Sequence, residues 1–219
     1  MKGPISEDRR LVLFENRWLE KLTVIPVRWF IAIWALLLPA IAIAAWDTAP
    51  IFAAIGLVFA GWLGWSLFEY SAHRWLFHCA PRAQAARRLI FVIHGNHHEE
   101  PNDKLRNLMP PVVSVVVGLL IWVLLYAVVG VSSAWMMLGF MSGYVLYDLT
   151  HYACHHYPMR GRIGRVIKRH HMRHHFISGG GNYAVTAIFW DWIFDTRLAA
   201  GARRETRKSA QYEEVHPAE

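Results

Sequence analysis

Thirteen histidines are present, and twelve of them fall in four short windows: His73–His78, His94–His98, His151–His156 and His170–His175. Imidazole is the commonest metal-binding side chain, so the spacing inside each window decides the chemistry. On a helix, positions i, i+3 and i+4 share a face. His94-Gly-Asn-His97-His98 has that spacing, and so does His171-Met-Arg-His174-His175; each offers three imidazoles in one direction. His151 and His155 form an i, i+4 pair, while His156 points about 140° away from His151 at about 100° per residue. His170 likewise lies off the face of His171, His174 and His175. His73 and His78 are five apart, which does not align on a straight helix; a helix break, or a pair straddling the site, is expected there.

The candidate metal ligands are therefore His73, His78, His94, His97, His98, His151, His155, His171, His174 and His175. One ion of four to six coordination cannot use them all, so two metal ions are implied. His156 and His170 are weaker candidates, and His216 lies alone in a polar tail. Two carboxylates stand near the windows: Glu69 is four residues before His73, and Asp148 is three before His151. Both are candidate catalytic residues, placed to accept the second ring N–H of a bound imidazole or to touch substrate. Cys79 and Cys154 lack thiolate-site spacing and are read as packing residues.

Imidazole ligation admits zinc, copper, iron or nickel. Hydrolytic zinc sites generally add a carboxylate ligand, and carboxylates are scarce around these windows. A pair of redox metals suits oxygen activation and attack on an unactivated C–H bond.

What must hold these histidines is a membrane protein. Of the 219 residues, 55% are hydrophobic and 18% charged, against about 25% charged in soluble domains. Four apolar segments stand out, Trp29–Trp46, Ile51–Tyr70, Leu108–Gly130 and Ser133–Thr150, each within reach of the ~20 residues a spanning helix needs. Short connections pair them into two hairpins, and Pro39, Pro110 and Pro111 kink or begin helices rather than prevent them. All 23 Lys and Arg lie in residues 1–28, in residues 71–107 or after residue 150, never at the hairpin tips. Both termini, the middle connection and every histidine are therefore expected on the cytosolic side. The net charge of +7 reports this topology; no stacking motif suggests nucleic acid.

The expected fold is an all-α integral membrane protein, with four transmembrane helices in two hairpins and a cytosolic helical cap around a histidine-rich dimetal site. Residues 1–26 are expected to form an amphipathic interfacial segment, residues 27–200 the four-span catalytic domain, and residues 201–219 a polar tail. In the first of these, Ser6 would cap a helix with Glu7 and Asp8 in its first turn, and Leu11, Phe14, Trp18 and Leu22 would share its membrane-facing side. The aromatic run Phe189–Phe194 fits an interfacial belt or the floor of a lipid-entry path. No targeting peptide is visible before the first apolar run.

The runs Glu69-Tyr70-Ser71-Ala72-His73-Arg74-Trp75-Leu76-Phe77-His78 and His94-Gly95-Asn96-His97-His98 resemble the fatty acid hydroxylase/sterol desaturase superfamily. So do Tyr147-Asp148-Leu149-Thr150-His151-Tyr152, the run His170–Phe176 and the closing Asn182-Tyr183-Ala184-Val185-Thr186 with Trp190-Asp191. The gap between His73 and His78, Pro101-Asn102-Asp103 and Pro110-Pro111 are similar to the fatty acid 2-hydroxylase branch. The resemblance covers about residues 69–196.

It implies two iron ions held by the ten histidines, with zinc on isolation, and hydroxylation of a lipid acyl chain, at carbon 2 of a fatty acid or sphingolipid acyl group, with O2 and two electrons. Many eukaryotic members carry a fused cytochrome b5 domain; no His-Pro-Gly-Gly haem motif occurs here, so a separate cytochrome b5-like or ferredoxin-type donor is expected. The Gly179–Tyr183 stretch is closer to sterol-type members, which keeps a sterol, carotenoid or alkyl-lipid desaturase or hydroxylase as the alternative. A metal transporter is a remote one, since transporters place ligands at the bilayer midplane. With no familiar retrieval signal at the C-terminus, a bacterial inner membrane is the expected location.

Overall fold

The computed structural model describes residues 11–199, which are all helical in architecture. Three stretches are long and apolar enough to cross a membrane: Val27–Ala45, Ile51–Phe77 and Pro111–His156. A short helix α1 (Arg17–Lys21) precedes them. Helix α2 is Val27–Ala45, and α3 is Ile51–Ser71, which continues without interruption into a π-helical turn, Ala72–Phe77. Then come α4 (Gln84–Ile90), a second π turn (Phe91–Gly95) and α5 (Asn96–Glu99). The third apolar stretch consists of α6 (Pro111–Val129) and α7 (Ser133–His156), joined by a 3₁₀ turn at Gly130–Ser132. Helix α8 (Arg162–Phe176) and the single turn α9 (Trp190–Ile193) complete the fold.

The prolines start helices. Pro26 and Pro50 immediately precede α2 and α3, and Pro110-Pro111 opens α6, where the missing N–H and the fixed φ carry no penalty. Pro39 sits inside α2. Gly130, at φ 70°, supplies the left-handed residue that ends α6.

Helix α7 is the centre on which α2, α3 and α6 pack. With α3 the approach is backbone to backbone. A Cβ on Gly61 would lie 1.9 Å from Met136 O, and one on Gly139 would lie 1.9 Å from Val58 O. Small residues permit this closeness, which stands in for hydrophobic driving force where lipid surrounds the helices. The pairings Val58–Gly139 and Trp65–Gly143 advance together, so α3 and α7 run parallel and end at the same level. Helix α6 runs against α7: Met109 N donates to Asp148 Oδ2 at 2.9 Å, and Trp122 Nε1 reaches Ser133 Oγ at 3.2 Å. At the far end, the Ser132 hydroxyl donates to Thr48 O and ties the two hairpin tips. Trp34, Trp65, Phe140 and Tyr144 form the buried aromatic centre, while Phe52 and Val128 point outward, 86% and 84% exposed.

The N-terminal segment differs from expectation. Ser6, Glu7 and Asp8 lie outside the described residues, as do residues 200–219 with His216. Residues 11–14 are not helical, so Leu11, Phe14, Trp18 and Leu22 do not form one helical face. The helix begins instead at Arg17, because the Asn16 side chain takes the Trp18 and Leu19 N–H groups. The Glu20 carboxylate then folds the lead-in back by accepting from Leu13 N and Phe14 N. Arg106, its side chain 4% exposed, locks this arrangement by pairing with Glu20 and donating to Leu11 O at 2.6 Å.

Candidate metal centre

The parallel ends of α3 and α7 meet α5 and α8, and there ten histidines converge. They form two groups of five: His73, His78, His94, His98 and His174; and His97, His151, His155, His171 and His175. Within each group the offered nitrogens all lie within 4.8 Å of one another. In the first, His73 Nε2 is 3.1 Å from His94 Nε2, His98 Nε2 is 2.9 Å from His94 Nε2, and His78 Nε2 is 3.0 Å from His174 Nε2. In the second, Nε2–Nε2 separations are 3.0 Å for His97–His175, 2.9 Å for His155–His171 and 3.0 Å for His171–His175. Such convergence suits lone pairs aimed at one cation, and neither group includes a carboxylate.

Local structure explains the sorting. The π turn Ala72–Phe77 replaces both the helix break and the straddling pair expected between His73 and His78: a π turn closes i to i+5, which brings positions five apart onto one side. The two triplets do not point in one direction, as a straight-helix reading suggests. In each, the i, i+4 pair joins one group and the third residue joins the other. His94 and His98 lie apart from His97, and His171 and His175 apart from His174. Adjacent positions are rotated by about 100°, enough to face two centres from one helix.

Burial makes these imidazoles ready to bind. It holds His94, His97, His98, His171 and His175 well below the ordinary histidine range, with neighbouring imidazoles adding to the effect. The same cause brings His174 to about 3 and His78 to about 4. Metal ligation needs the neutral ring, so the donor set fits a pair of imidazole-bound cations.

The groups that orient the rings are not those expected. Glu69 accepts from Val185 N at 2.7 Å and Thr186 Oγ1 at 3.4 Å, and does not bond His73. Asp148 accepts from Met109 N and Tyr144 OH, and does not bond His151. In both cases the carboxylate is taken up by donors from other segments, residues 185–186 for Glu69 and Met109 for Asp148. The His73 ring Nδ1 instead donates to Tyr183 O, and that of His174 donates to Gly181 O at 2.8 Å. The loop 181–183 is thus a carbonyl clamp on the first group. The Nδ1 atoms of His171 and His175 are buried without a hydrogen-bond partner among the described residues, so no carbonyl clamp holds these two rings.

Asp191 holds the clamp in place. It is completely buried and accepts from Tyr183 N, Ala184 N, Thr196 Oγ1 and His170 Nε2, each between 2.6 and 2.9 Å. A carboxylate in an aromatic run must find such donors, and that was the available signal for it. Gly181, at φ 140°, passes so near Thr196 O that a Cβ would stand 2.6 Å away. The aromatic run is mostly exposed: Phe189, Trp192, Ile193 and Phe194 face outward, although Phe194 stacks on Tyr70, while half-buried Trp190 reaches Ser66 Oγ through Nε1. His156 and His170 stay outside both groups; His156 Nε2 meets Asn107 Nδ2 at 3.1 Å. Cys154 is buried, but Cys79 is exposed rather than packed.

A chamber of about 140 Å³ borders both groups, its wall including His94, His97 and His151. It shares Phe77, Ile93, Met109 and Val113 with an apolar cleft of about 180 Å³ between α3 and α6.

Comparison with known proteins agrees with this geometry. The chain is 36% identical over 160 residues to dihydroceramide fatty acyl 2-hydroxylase FAH2 of Arabidopsis thaliana, covering 72% of this chain and 67% of that protein. It is 38% identical over 148 residues to fatty acid 2-hydroxylase of Rattus norvegicus, covering 66% of this chain but only 40% of the relative. A solved structure titled full-length scs7p, with only the hydroxylase domain visible, superposes with a TM-score of 0.79 at 30% identity, covering 88% of this chain and 74% of that one. The family model described as fatty acid hydroxylase matches residues 58–196. That match runs from the middle of α3 to just past α9 and takes in all ten converging histidines, so the chain belongs to the fatty acid hydroxylase family.

Proposed function

We propose that this chain is a membrane-embedded oxidoreductase that hydroxylates carbon 2 of a lipid acyl chain, the activity named for its plant and mammalian relatives. The observation that carries the reading is adjacency: the histidine-walled chamber and an apolar cleft on the membrane-spanning helices share Phe77, Ile93, Met109 and Val113 as wall residues. A cleft so lined accepts a hydrocarbon tail and delivers the carbons near its polar end to the chamber.

In this reading His73, His78, His94, His98 and His174 hold one iron ion, and His97, His151, His155, His171 and His175 a second. When bound, a redox-metal pair supplies the oxygen activation that C–H insertion needs. One atom of O2 enters the C–H bond and the other leaves as water, with two electrons from a separate cytochrome b5-like or ferredoxin-type donor and two protons. The protein's part is placement. Asp148 fixes Met109 and Tyr144, hence the chamber wall where α6 begins. Tyr147 lies parallel to the His151 ring at 5.8 Å and shields its face. Glu69 and Asp191 anchor residues 183–186, whose backbone keeps His73 in line. Neither carboxylate is assigned a proton-transfer role; Glu69 and Asp148 act as positioning residues.

The third apolar stretch folds back at Gly130–Ser132, which supports four spans in two hairpins. Among the described residues, Lys and Arg gather at the histidine end, which supports a cytosolic cap and cytosolic termini, here in a bacterial inner membrane. Residues 27–200 are the catalytic unit, residues 1–26 an interfacial segment and residues 201–219 a polar tail.

The test is lipid mass spectrometry of a heterologous host expressing wild type beside His97→Ala. Acyl species heavier by one oxygen in wild type alone, with fragmentation locating the hydroxyl at carbon 2, are the expected result. Loss of two hydrogens instead would assign a desaturase. No change, with two metals bound and a competent donor present, would overturn the reading.

A further inference from the structure

Helix α6 separates two apolar clefts. The first, already described, lies between α3 and α6 and borders the histidine chamber. The second, about 220 Å³, lies between α2 and α6, with Trp34, Leu37, Ile41 and Trp122 in its wall. Gly118 and Met141 line both. The first cleft meets α7 at Phe140, Met141 and Tyr144, and the second meets it at Met137 and Met141. Since α7 ends at the histidines, the second cleft is the more remote from them.

The partition between the clefts is thin. Gly118 is buried against α7, and a Cβ built on it would stand 3.2 Å from Met137 Cε and 3.3 Å from Met141 Sδ. What fills the gap is the far end of two unbranched thioether chains, which change rotamer readily. A glycine backbone on one side and two mobile methionines on the other make a passage that a slender chain can open. The polar groups nearby are turned away from it: the Ser114 hydroxyl faces Pro111 O and the Tyr144 hydroxyl faces Asp148. Gly118 lies about 7.5 Å along α6 from Val113, at the chamber boundary, and about 6 Å short of Trp122.

We propose that the Gly118–Met141 constriction sets acyl-chain length: shorter tails end in the first cleft, and longer tails displace the Met141 thioether and continue into the second. This rests on the acyl-chain reading of the first cleft. The occupant is a hydrocarbon tail, because the first cleft shares a wall with the chamber where its head end would react and both clefts are walled almost entirely by apolar side chains.

The experiment supplies a host expressing wild type, Gly118→Leu or Met141→Ala with fatty acids of graded length, and reads the chain-length distribution of the hydroxylated products. Gly118→Leu closes the passage and shifts products several-fold toward shorter chains; Met141→Ala widens it and raises the share of longer ones. If Gly118→Leu does not accumulate in the membrane, Met141→Ala decides alone. Wild-type products whose length distribution is unchanged in the variants overturn the constriction and leave the acyl-chain reading standing. Absence of hydroxylated acyl lipid even in wild type, with donor and metals present, removes both.

Discussion

His97 and His98 are neighbours in sequence yet face different centres: His97 Nε2 lies 3.0 Å from His175 Nε2, and His98 Nε2 lies 3.1 Å from His174 Nε2. Two single substitutions therefore probe two sites. His97→Ala and His98→Ala are each expected to lower bound metal from two ions per chain toward one, whereas His156→Ala, outside both groups, retains two. Elemental analysis of the purified proteins checks this; equal metal content in all three variants would contradict the two-group assignment.

Asp191 is expected to matter through metal retention. Its oxygens fix the backbone that presents the Gly181 and Tyr183 carbonyls to His174 and His73. Groups that orient ligands in this way change metal affinity by about 10–100-fold when removed. Asp191→Ala should weaken the first group by that factor and leave the second nearly intact, read by titration with a competing chelator. Uniform weakening of both would mean that α8 as a whole had shifted.

The crossing of α3 and α7 predicts a contrast between glycines. Gly61→Leu and Gly139→Leu would drive side chains into backbone carbonyls, a change expected to exceed about 4 kcal/mol and prevent folding. Gly56→Ala, on the same α3 with nothing within 4 Å of the new Cβ, should be neutral or stabilising by up to about 1 kcal/mol from helix propensity. Thermal melting in detergent, followed by size exclusion, separates the two classes.

Glu69 should respond to charge and shape differently. Glu69→Gln keeps an oxygen for Val185 N and is expected to retain most metal, while Glu69→Ala strands that buried N–H at a cost of about 1–3 kcal/mol and loosens the His73 clamp. Comparing metal content with melting temperature in the two variants tests the positioning role.

Much of this was legible in the residues, and what was not has physical causes. The ten converging histidines could be named because imidazole spacing along a helix is local information. Their division into two groups could not, because it depends on where α5 and α8 stand between α3 and α7. The apolar helices were visible from hydropathy, yet the α3–α7 approach hangs on Gly61 and Gly139, which look like any other membrane glycines until their partners are known. Glu69 and Asp148 stand close in sequence to His73 and His151, but nearness along a helix does not give the bond: each carboxylate takes a backbone N–H from a distant segment. Asp191, the anchor of the clamp, was hidden in an aromatic run that reads as a membrane-interface feature.

The π turn at Ala72–Phe77 fits one extra residue into the rise of a helix that otherwise runs unbroken from Ile51. It keeps the helical surface in register across that residue, so that positions five apart meet as positions four apart do on an ordinary helix. Straightening the turn at unchanged length would carry His78 about 100° around the helix axis, away from His94 and His174. Deleting one residue between His73 and His78 would instead leave two histidines four apart on a regular helix and still on one face. Turn and length are matched here, and a change to one is tolerated only with the other.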